Sequence, residues 1–591
     1  MASDANSGSE QLTELFALVK DVCRESLLAV AVFSGVANLL MLVPAFYMLN
    51  VYDKAVGSNS LSTLLVLSGI TVVLFCCLAA MEATRSRVLV AIGKKLDSVL
   101  GSIIYTATFQ HALKVGPTYA GAHFLNDFTN LRQFISGTGT IAVFDVPWIP
   151  IYLCVMFLFH PALGWLGVIA SLVVLGVAIA NQRATTASLQ RVNALSQVSA
   201  NETTRHLKNA EVAESMGMFD AMLQKWRLQQ DKVVAQQQAV SNDNGLFSAI
   251  IKTLRLAIQS TAIGLGALLV LQQEISPGML IAGSILVGRA LQPIELAVGS
   301  WKSFVDAKGQ YQRLKQAVER STWDEAKMAL PSIRGAVQGK NVTIIPPSSK
   351  IAALHDVNFE IAAGTVCMIM GPSGAGKSAL VRGILGLWPT SEGQIRIDGS
   401  EAVHYNRTEL GPQIGYLPQD IELFDGSVSE NVARLGEVDA TDVIIAAEDA
   451  GLHEFILSLP DGYDTELGQK SGVILSPGQR QRLALARALY RRPKFVILDE
   501  PNSNLDQRGE LALNRAISIL KESGSTVIIV SHRRGAAKLA DQVIMVSEGT
   551  IADSGPTEEV LSRLSQQKTP PSLAESPSKS SYKTKVHTIP G

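Results

Sequence analysis

"LSPGQRQRLALARALYRRPKFVILDE", residues 475–500, decides the fold of the C-terminal half. A Ser-Pro-Gly-Gln start opens a helix, and the helix leads into an apolar run, Phe495 to Leu498, that ends in the carboxylates Asp499 and Glu500. A continuous apolar run of this kind reads as a strand buried in a parallel sheet. In open α/β sheets the chemistry collects at the carboxyl ends of such strands. Upstream, "TVCMIMGPSGAGKSALVRGILGLW" (365–388) has the order strand, glycine loop, helix. Gly371, Gly374 and Gly376 let backbone N–H groups wrap phosphates, with Pro372, Ser373 and Ala375 completing the loop. Lys377 adds a charge for the β- and γ-phosphates, Ser378 offers a hydroxyl to Mg²⁺, and the helix N-terminus faces the anion. One chain thus carries two phosphate-facing helix starts, the second at Ser476, close in sequence to its catalytic acids.

The remaining residues complete the chemistry. Asp499 is placed to hold Mg²⁺ through water, and Glu500 to orient and deprotonate the attacking water. "STVIIVSHRR" (525–534) is another buried strand, and His532 at its end reaches a γ-phosphate. "GYLPQD" (415–420) gives Gln419, a neutral side chain able to sense Mg²⁺ and water.

The N-terminal half is different. The chain has 591 residues, 47% hydrophobic and 17% charged, and the long apolar runs fall in its first 300 residues. Six stretches are long enough to cross a bilayer, which takes about 20 residues: 26–49, 61–81, 140–159, 161–180, 256–272 and 278–298. The two long connections, 82–137 and 181–245, carry Arg85, Arg87, Lys94, Lys95, Lys114 and Arg132, and Arg183, Arg191, Arg205, Lys208, Lys225, Arg227 and Lys232. The short connections carry only Lys54. Positive charge inside places both long loops, both termini and everything after 300 in the cytoplasm. The loops look helical, and we read them as membrane helices continuing beyond the lipid. The net charge of −1 suggests no nucleic-acid partner. Five cysteines without CxxC spacing indicate neither a disulfide framework nor a zinc site. The first 25 residues are not a secretory signal and are too few for a folded domain.

The expected organisation is multidomain. It comprises a cytoplasmic segment (1–25), an all-α six-helix transmembrane domain (26–300), a linker (301–335), an α/β P-loop ATPase domain (336–565) and a disordered Ser/Pro/Lys-rich tail (566–591). Within the membrane, Asp145 and Arg289 lie at similar depth, about 18–23 Å from the periplasmic side at ~1.5 Å per residue. Intramembrane charges are costly and paired, so these two are expected to pair within or between chains. Asn38 reads as an interhelical hydrogen-bond residue, and Pro44, Pro147 and Pro293 as kink sites.

"GPSGAGKS", "LPQD", "LSPGQRQRLALARAL", "VILDEPNSNLD" and "VSH" resemble the ordered motif set of an ABC ATPase. In that family the Ser-Gly-Gln segment faces the γ-phosphate held by a second nucleotide domain. The resemblance therefore assigns Ser476 and Gly478 to the ATP of a twin chain, adds Gln479 and Asp506 to the nucleotide-binding residues, and implies a homodimer with two composite sites. It implies ATP and Mg²⁺ as cofactors, with Ser378, Gln419 and Asp499 at the metal. Three departures stand out. Pro477 replaces a common glycine and removes one N–H. Ile344, Ile345, Pro346 and Pro347 stand where an aromatic usually stacks on adenine, so apolar contact to the base is expected. Gln469 in "TELGQKSG" stands where a glutamate is common.

"LVPAFYMLNVYDKAV", "FDVPWIPIYLCVMFLFHPALGW", "SPGMLIAGSILVGRALQPIELAVGSWKSF" and "KNAEVAESMGM" resemble the type I secretion transporters of alkaline proteases and RTX-like proteins. That resemblance covers about residues 20–560. It implies a bacterial inner-membrane exporter of unfolded proteins with uncleaved C-terminal signals, working with a periplasmic adaptor and an outer-membrane channel. By analogy, turns near 114–122 and 190–200 touch the nucleotide domains. An exporter of lipid or small amphipathic molecules would carry the same ATPase motifs and is the alternative.

Overall fold

The computed structural model describes residues 23–115, 123–320, 332–347, 349–468, 473–532 and 534–566. The chain divides into two compact units, Met1–Trp323 and Asp324–Gly591. Residues 1–22 of the N-terminal segment, the tail from 567, the turn at 116–122 and Gln469 lie outside the described residues.

In the first unit six helices are long and apolar enough to cross a membrane: Cys23–Val56, Leu61–Lys114, His123–Phe159, Pro161–Lys208, Phe219–Leu271 and Pro277–Gly299. The second, fourth and fifth have 54, 48 and 53 residues. At ~1.5 Å per residue they are about 70–80 Å long, more than twice a hydrocarbon core of about 30 Å. The polar loops of the sequence are thus continuations of the membrane helices. The reversal between the fourth and fifth spans falls at 209–218, not at 190–200, which is continuous helix. The segment "QRVNALSQVSA" contains neither Gly nor Pro, whereas Gly217 supplies the left-handed residue (φ +64°) that the reversal uses.

Sequence-visible caps fix the helix starts. His160 Nδ1 accepts from the Ala162 N–H at 3.2 Å, with Pro161 as the first helical residue. Ser276 Oγ accepts from the Met279 N–H at 3.2 Å ahead of Pro277. Asp53, at the end of the first span, holds this cap: it accepts from Ser276 Oγ at 2.5 Å and from the Gly278 N–H at 3.0 Å. Pro147 interrupts the third span, where an α-helix ending at Asp145 passes through a 3₁₀ turn, Val146–Trp148. Pro293 lies inside the sixth span and Pro44 opens the helical segment Val43–Asn50.

The expected Asp145–Arg289 pair does not form within the chain. Asp145 is buried and accepts from Arg85 Nη1 at 3.1 Å and from Asn38 Nδ2 at 2.8 Å. Arg289 instead donates to Gln292 Oε1 at 3.0 Å, one turn along its own helix. Depth alone suggested Arg289, but lateral packing decides the partner: Arg85, just beyond the apolar stretch of the second span, turns in beside the first and third. Asn38 is an interhelical hydrogen-bond residue, since Tyr152 also donates to its Oδ1 at 2.9 Å.

Helix α1 (Trp301–Arg320) packs on the membrane unit. Arg313 donates from Nε and Nη2 to both carboxylate oxygens of Asp127, each at 2.7 Å. This is the two-pronged geometry that makes Arg–carboxylate pairs strong.

In the second unit a four-stranded antiparallel sheet has the order β2 (Leu354–Ile361), β1 (Val337–Ile344), β4 (Glu392–Ile397), β5 (Ser400–Glu401). A six-stranded sheet has the order β12 (Thr550–Pro556), β11 (Gln542–Ser547), β3 (Val366–Met370), β10 (Thr526–Val530), β9 (Phe495–Asp499), β6 (Ile414–Leu417). Strands β7 (Gly426–Ser427) and β8 (Glu466–Leu467) form a small hairpin pair. In the larger sheet β11, β3, β10, β9 and β6 are parallel and only β12 is antiparallel.

Candidate nucleotide site

Register builds the site. Ile369 pairs with Val530, Val530 with Asp499, and Leu417 with Leu498. Four parallel strands therefore end along one edge of the sheet. The loops after them carry Gly371–Ser378, His532, Glu500 and Gln419, the residues expected to meet phosphate, metal and water.

The two faces of the sheet do different work. On β3, β9 and β10 the residues Cys367, Ile369, Phe495, Ile497, Ile528 and Val530 pack with helix α2 (Lys377–Ile384), which follows the phosphate loop. Their neighbours Val366, Met368, Val496, Leu498, Val527 and Ile529 pack with helices α3 (Ala440–Asp449), α4 (Pro477–Leu489) and α5 (Gln507–Glu522). Because strand side chains alternate, α2 and α4 lie on opposite faces. The parity also sends Asp499 to the α2 face, where it meets the Ser378 hydroxyl.

In the phosphate loop Gly371, Gly374 and Gly376 have φ of +155°, +81° and +106°. A Cβ on Gly371 would fall against the Val546 carbonyl, so the loop can close here only on glycine. Lys377 is buried, and its Nζ donates to the carbonyls of Gly371 and Pro372 at 2.9 and 2.8 Å. Its ammonium thus lies inside the curve of the loop.

Asp499 is only 4% exposed. Burial pushes its carboxyl above the ordinary range, the Ser378 hydroxyl pulls it back, and Glu500 raises it again. Its Oδ1 has no hydrogen-bond partner among the described residues. A buried carboxylate oxygen without a donor, beside a serine hydroxyl, is an all-oxygen set suited to Mg²⁺.

Glu500 has a left-handed backbone (φ +48°) pinned by its N–H to the Val530 carbonyl at 2.9 Å. Non-glycine residues held there store strain, a common feature of active sites. Gln419 Nε2 donates to Glu500 Oε2 at 3.2 Å, and His532 Nδ1 stands 3.7 Å from Glu500 Oε1. Gln419, Glu500 and His532, from three separate loops of the chain, are thus brought together.

The signature residues are built separately. Ser476 caps α4: its Oγ accepts from the Gln479 N–H at 3.3 Å, and Gln479 Oε1 accepts from the Ser476 N–H at 2.8 Å. This reciprocal pair is a capping box. Pro477 takes the first helical position, whose N–H has no intrahelical acceptor, so it costs the helix nothing. A Cβ on Gly478 would come within 2.8 Å of the Asn504 carbonyl, which explains the glycine. Asp506 caps α5, accepting from the Gly509 N–H at 2.8 Å. Ser476, Gly478, Gln479 and Asp506 thus belong to helix starts on the face away from this chain's own α2.

Sequence reasoning missed Gln481. It is buried in α4, donates to the Pro501 carbonyl, and accepts from the Asn504 N–H at 2.9 Å. It ties α4 to the segment after Glu500. The signal was a glutamine inside the apolar stripe of a helix. Of the expected adenine contacts, Ile344 is fully buried in the core, while Ile345 is 38% exposed and Pro346 and Pro347 are half-buried. Ile344 is thereby removed from base contact, because the last residue of β1 points into the sheet packing.

Comparison with known proteins agrees with this geometry. Residues 354–503 match the ABC transporter family and residues 27–292 the ABC transporter transmembrane region. The chain is 40% identical to the type I secretion system ATP-binding protein PrsD of Rhizobium meliloti, over 92% of this chain and 93% of that protein. It is 30% identical to the alpha-hemolysin translocation ATP-binding protein HlyB of Escherichia coli O157:H7, over 91% of this chain and 77% of that protein. A solved bacterial Atm1-family ABC exporter with ATP bound superposes with a TM-score of 0.79 at 21% identity, over 94% of this chain and all of that one. The chain belongs to the ABC transporters, and within them to the type I secretion system ATP-binding proteins. It binds ATP, and its hydrolysis is coupled to transport through a multi-pass membrane domain.

Proposed function

We propose that two copies of this chain, in the bacterial inner membrane, export unfolded proteins bearing uncleaved C-terminal signals. A periplasmic adaptor and an outer-membrane channel receive the cargo. The observation that carries this reading is the match to PrsD across 93% of that protein's length, in both the membrane and the ATPase halves. Deleting the gene and comparing extracellular proteins tests it. Named proteins should vanish from the medium and return with the wild-type gene but not with Glu500→Gln; an unchanged secretome with altered membrane lipids would favour a lipid exporter.

Each ATP lies between two chains in this reading. Gly371–Ser378 of one chain hold the phosphates, and the α4 start completes the anion site from the other. The placement of α2 and α4 on opposite faces of one sheet supports this, since Ser476 then serves the partner's ATP. Ser378, Gln419 and Asp499 hold Mg²⁺, which neutralises phosphate charge when bound. Glu500 takes the proton of the attacking water, His532 contacts the γ-phosphate, and Gln419 orients Glu500 toward both. Ile345, Pro346 and Pro347 give adenine an apolar contact.

A further inference from the structure

A second feature of the membrane unit is unrelated to ATP. A cavity of about 300 Å³ opens between the third, fourth and sixth spans, lined among others by Ile149, Leu172, Leu175, Asn181, Ala297 and Trp301. Its lining is mostly apolar, with Ser171, Asn181 and Gln182 as polar side chains. Asn181 is 2% exposed, lines the cavity, and its Oδ1 has no hydrogen-bond partner among the described residues. A buried amide oxygen left without a donor is destabilising, so a donor is expected there. Ser171 also lines the cavity without a partner. A helix serine can turn to the preceding carbonyl, however, so Asn181 carries the argument.

Depth identifies what fills the space. The fourth span runs inward from Pro161, so Ser171 lies about 15 Å and Asn181 about 30 Å from the periplasmic boundary at ~1.5 Å per residue. The hydrocarbon core is about 30 Å thick. The cavity therefore extends from the bilayer midplane to the cytoplasmic interface, the length of one leaflet. Its rim is exposed on the single chain: Leu172 and Leu175 are 61% and 44% exposed. The interfacial end has Trp301, whose Nε1 donates to Thr186 Oγ1 at 3.2 Å, and the exposed cations Arg183 and Lys302 follow Asn181 and Trp301 in sequence by two residues and one. Indole and basic side chains at that depth mark the headgroup layer.

We propose that this groove is a binding site for one phospholipid of the cytoplasmic leaflet. One acyl chain lies along Leu172, Leu175 and Ile149, the phosphate sits by Arg183 and Lys302, and an N–H or O–H of the headgroup donates to Asn181. The lipid is a resident ligand, not cargo, and the proposal stands whether or not the cargo is protein.

Native mass spectrometry of the delipidated full-length dimer tests it, with phosphatidylethanolamine, phosphatidylglycerol or phosphatidylcholine added back. The first two carry a headgroup donor and the third does not. Wild type should retain one donor-bearing lipid per chain, at least tenfold over phosphatidylcholine. Asn181→Leu should abolish that preference while still binding lipid, and Ala297→Trp should remove the retained lipid. Should Ala297→Trp fail to assemble, Ala178→Phe closes the same groove from the fourth span. Equal retention of all three lipids by wild type, undiminished retention in both groove-filling variants, or crosslinking of Leu175→Cys to its own copy across the dimer would overturn the proposal.

Discussion

Arg85→Met leaves Asp145 buried in the membrane unit with Asn38 as its one remaining donor, at 2.8 Å. Among the described residues, Asp145→Leu leaves Arg85 with only the Ser34 hydroxyl at 3.4 Å, a contact already long for a hydrogen bond. Removing one partner of a buried pair costs about 3–5 kcal/mol, because the survivor is an uncompensated charge. At about 2 °C per kcal/mol for a large domain, either single change lowers the melting point by about 6–10 °C. Replacing both with apolar residues of similar volume removes both desolvation penalties, so the double variant recovers most of the loss. Arg289→Gln, which disturbs only a bond to Gln292, should shift melting little. The assay is the fraction of dimer surviving a heating series in detergent, read by size-exclusion fluorescence. A double variant as unstable as the sum of the singles, or an Arg289→Gln loss equal to that of Arg85→Met, would refute the pairing.

Lys377→Ala and Ser476→Arg should each silence a homodimer, yet restore hydrolysis when co-expressed. Half the dimers are then mixed with one intact site of two, giving about a quarter of wild-type turnover; no recovery would mean Ser476 acts on its own chain's ATP. Glu500→Gln should keep ATP binding and lower turnover by about 10²–10⁴-fold, as for loss of a general base; ordinary turnover would remove Glu500 from that role. Burial raises the Asp499 carboxyl in the folded chain. Its protonated form therefore folds more favourably, and that contribution is present at low pH and lost as pH rises through the raised value. In EDTA at pH 7 Asp499→Asn should thus melt above wild type, and Mg²⁺ with ATP should reverse the order; equal melting in both conditions would remove Asp499 from the metal site.

The residue order alone settled the local parts. Apolar runs of bilayer length gave the spans, and Ser476 announced a helix start that the structure caps. These signals are local, since a cap, a glycine at positive φ or a buried strand needs only its neighbours in sequence. The glycine loop and the carboxylates at a strand end were legible for that reason. What needed the tertiary structure was lateral: which helix faces which, and which face of a sheet a helix covers. Asp145 chose Arg85 over Arg289 because packing, not depth, sets a partner. Gln481 became visible only once α4 lay against the segment after Glu500, and Ile344 left the adenine surface once β1 was seen to bury its end. The separation of Ser476 from its own phosphate loop rests on strand parity read across three paired strands, and pairing between distant segments is the information a linear pattern does not carry.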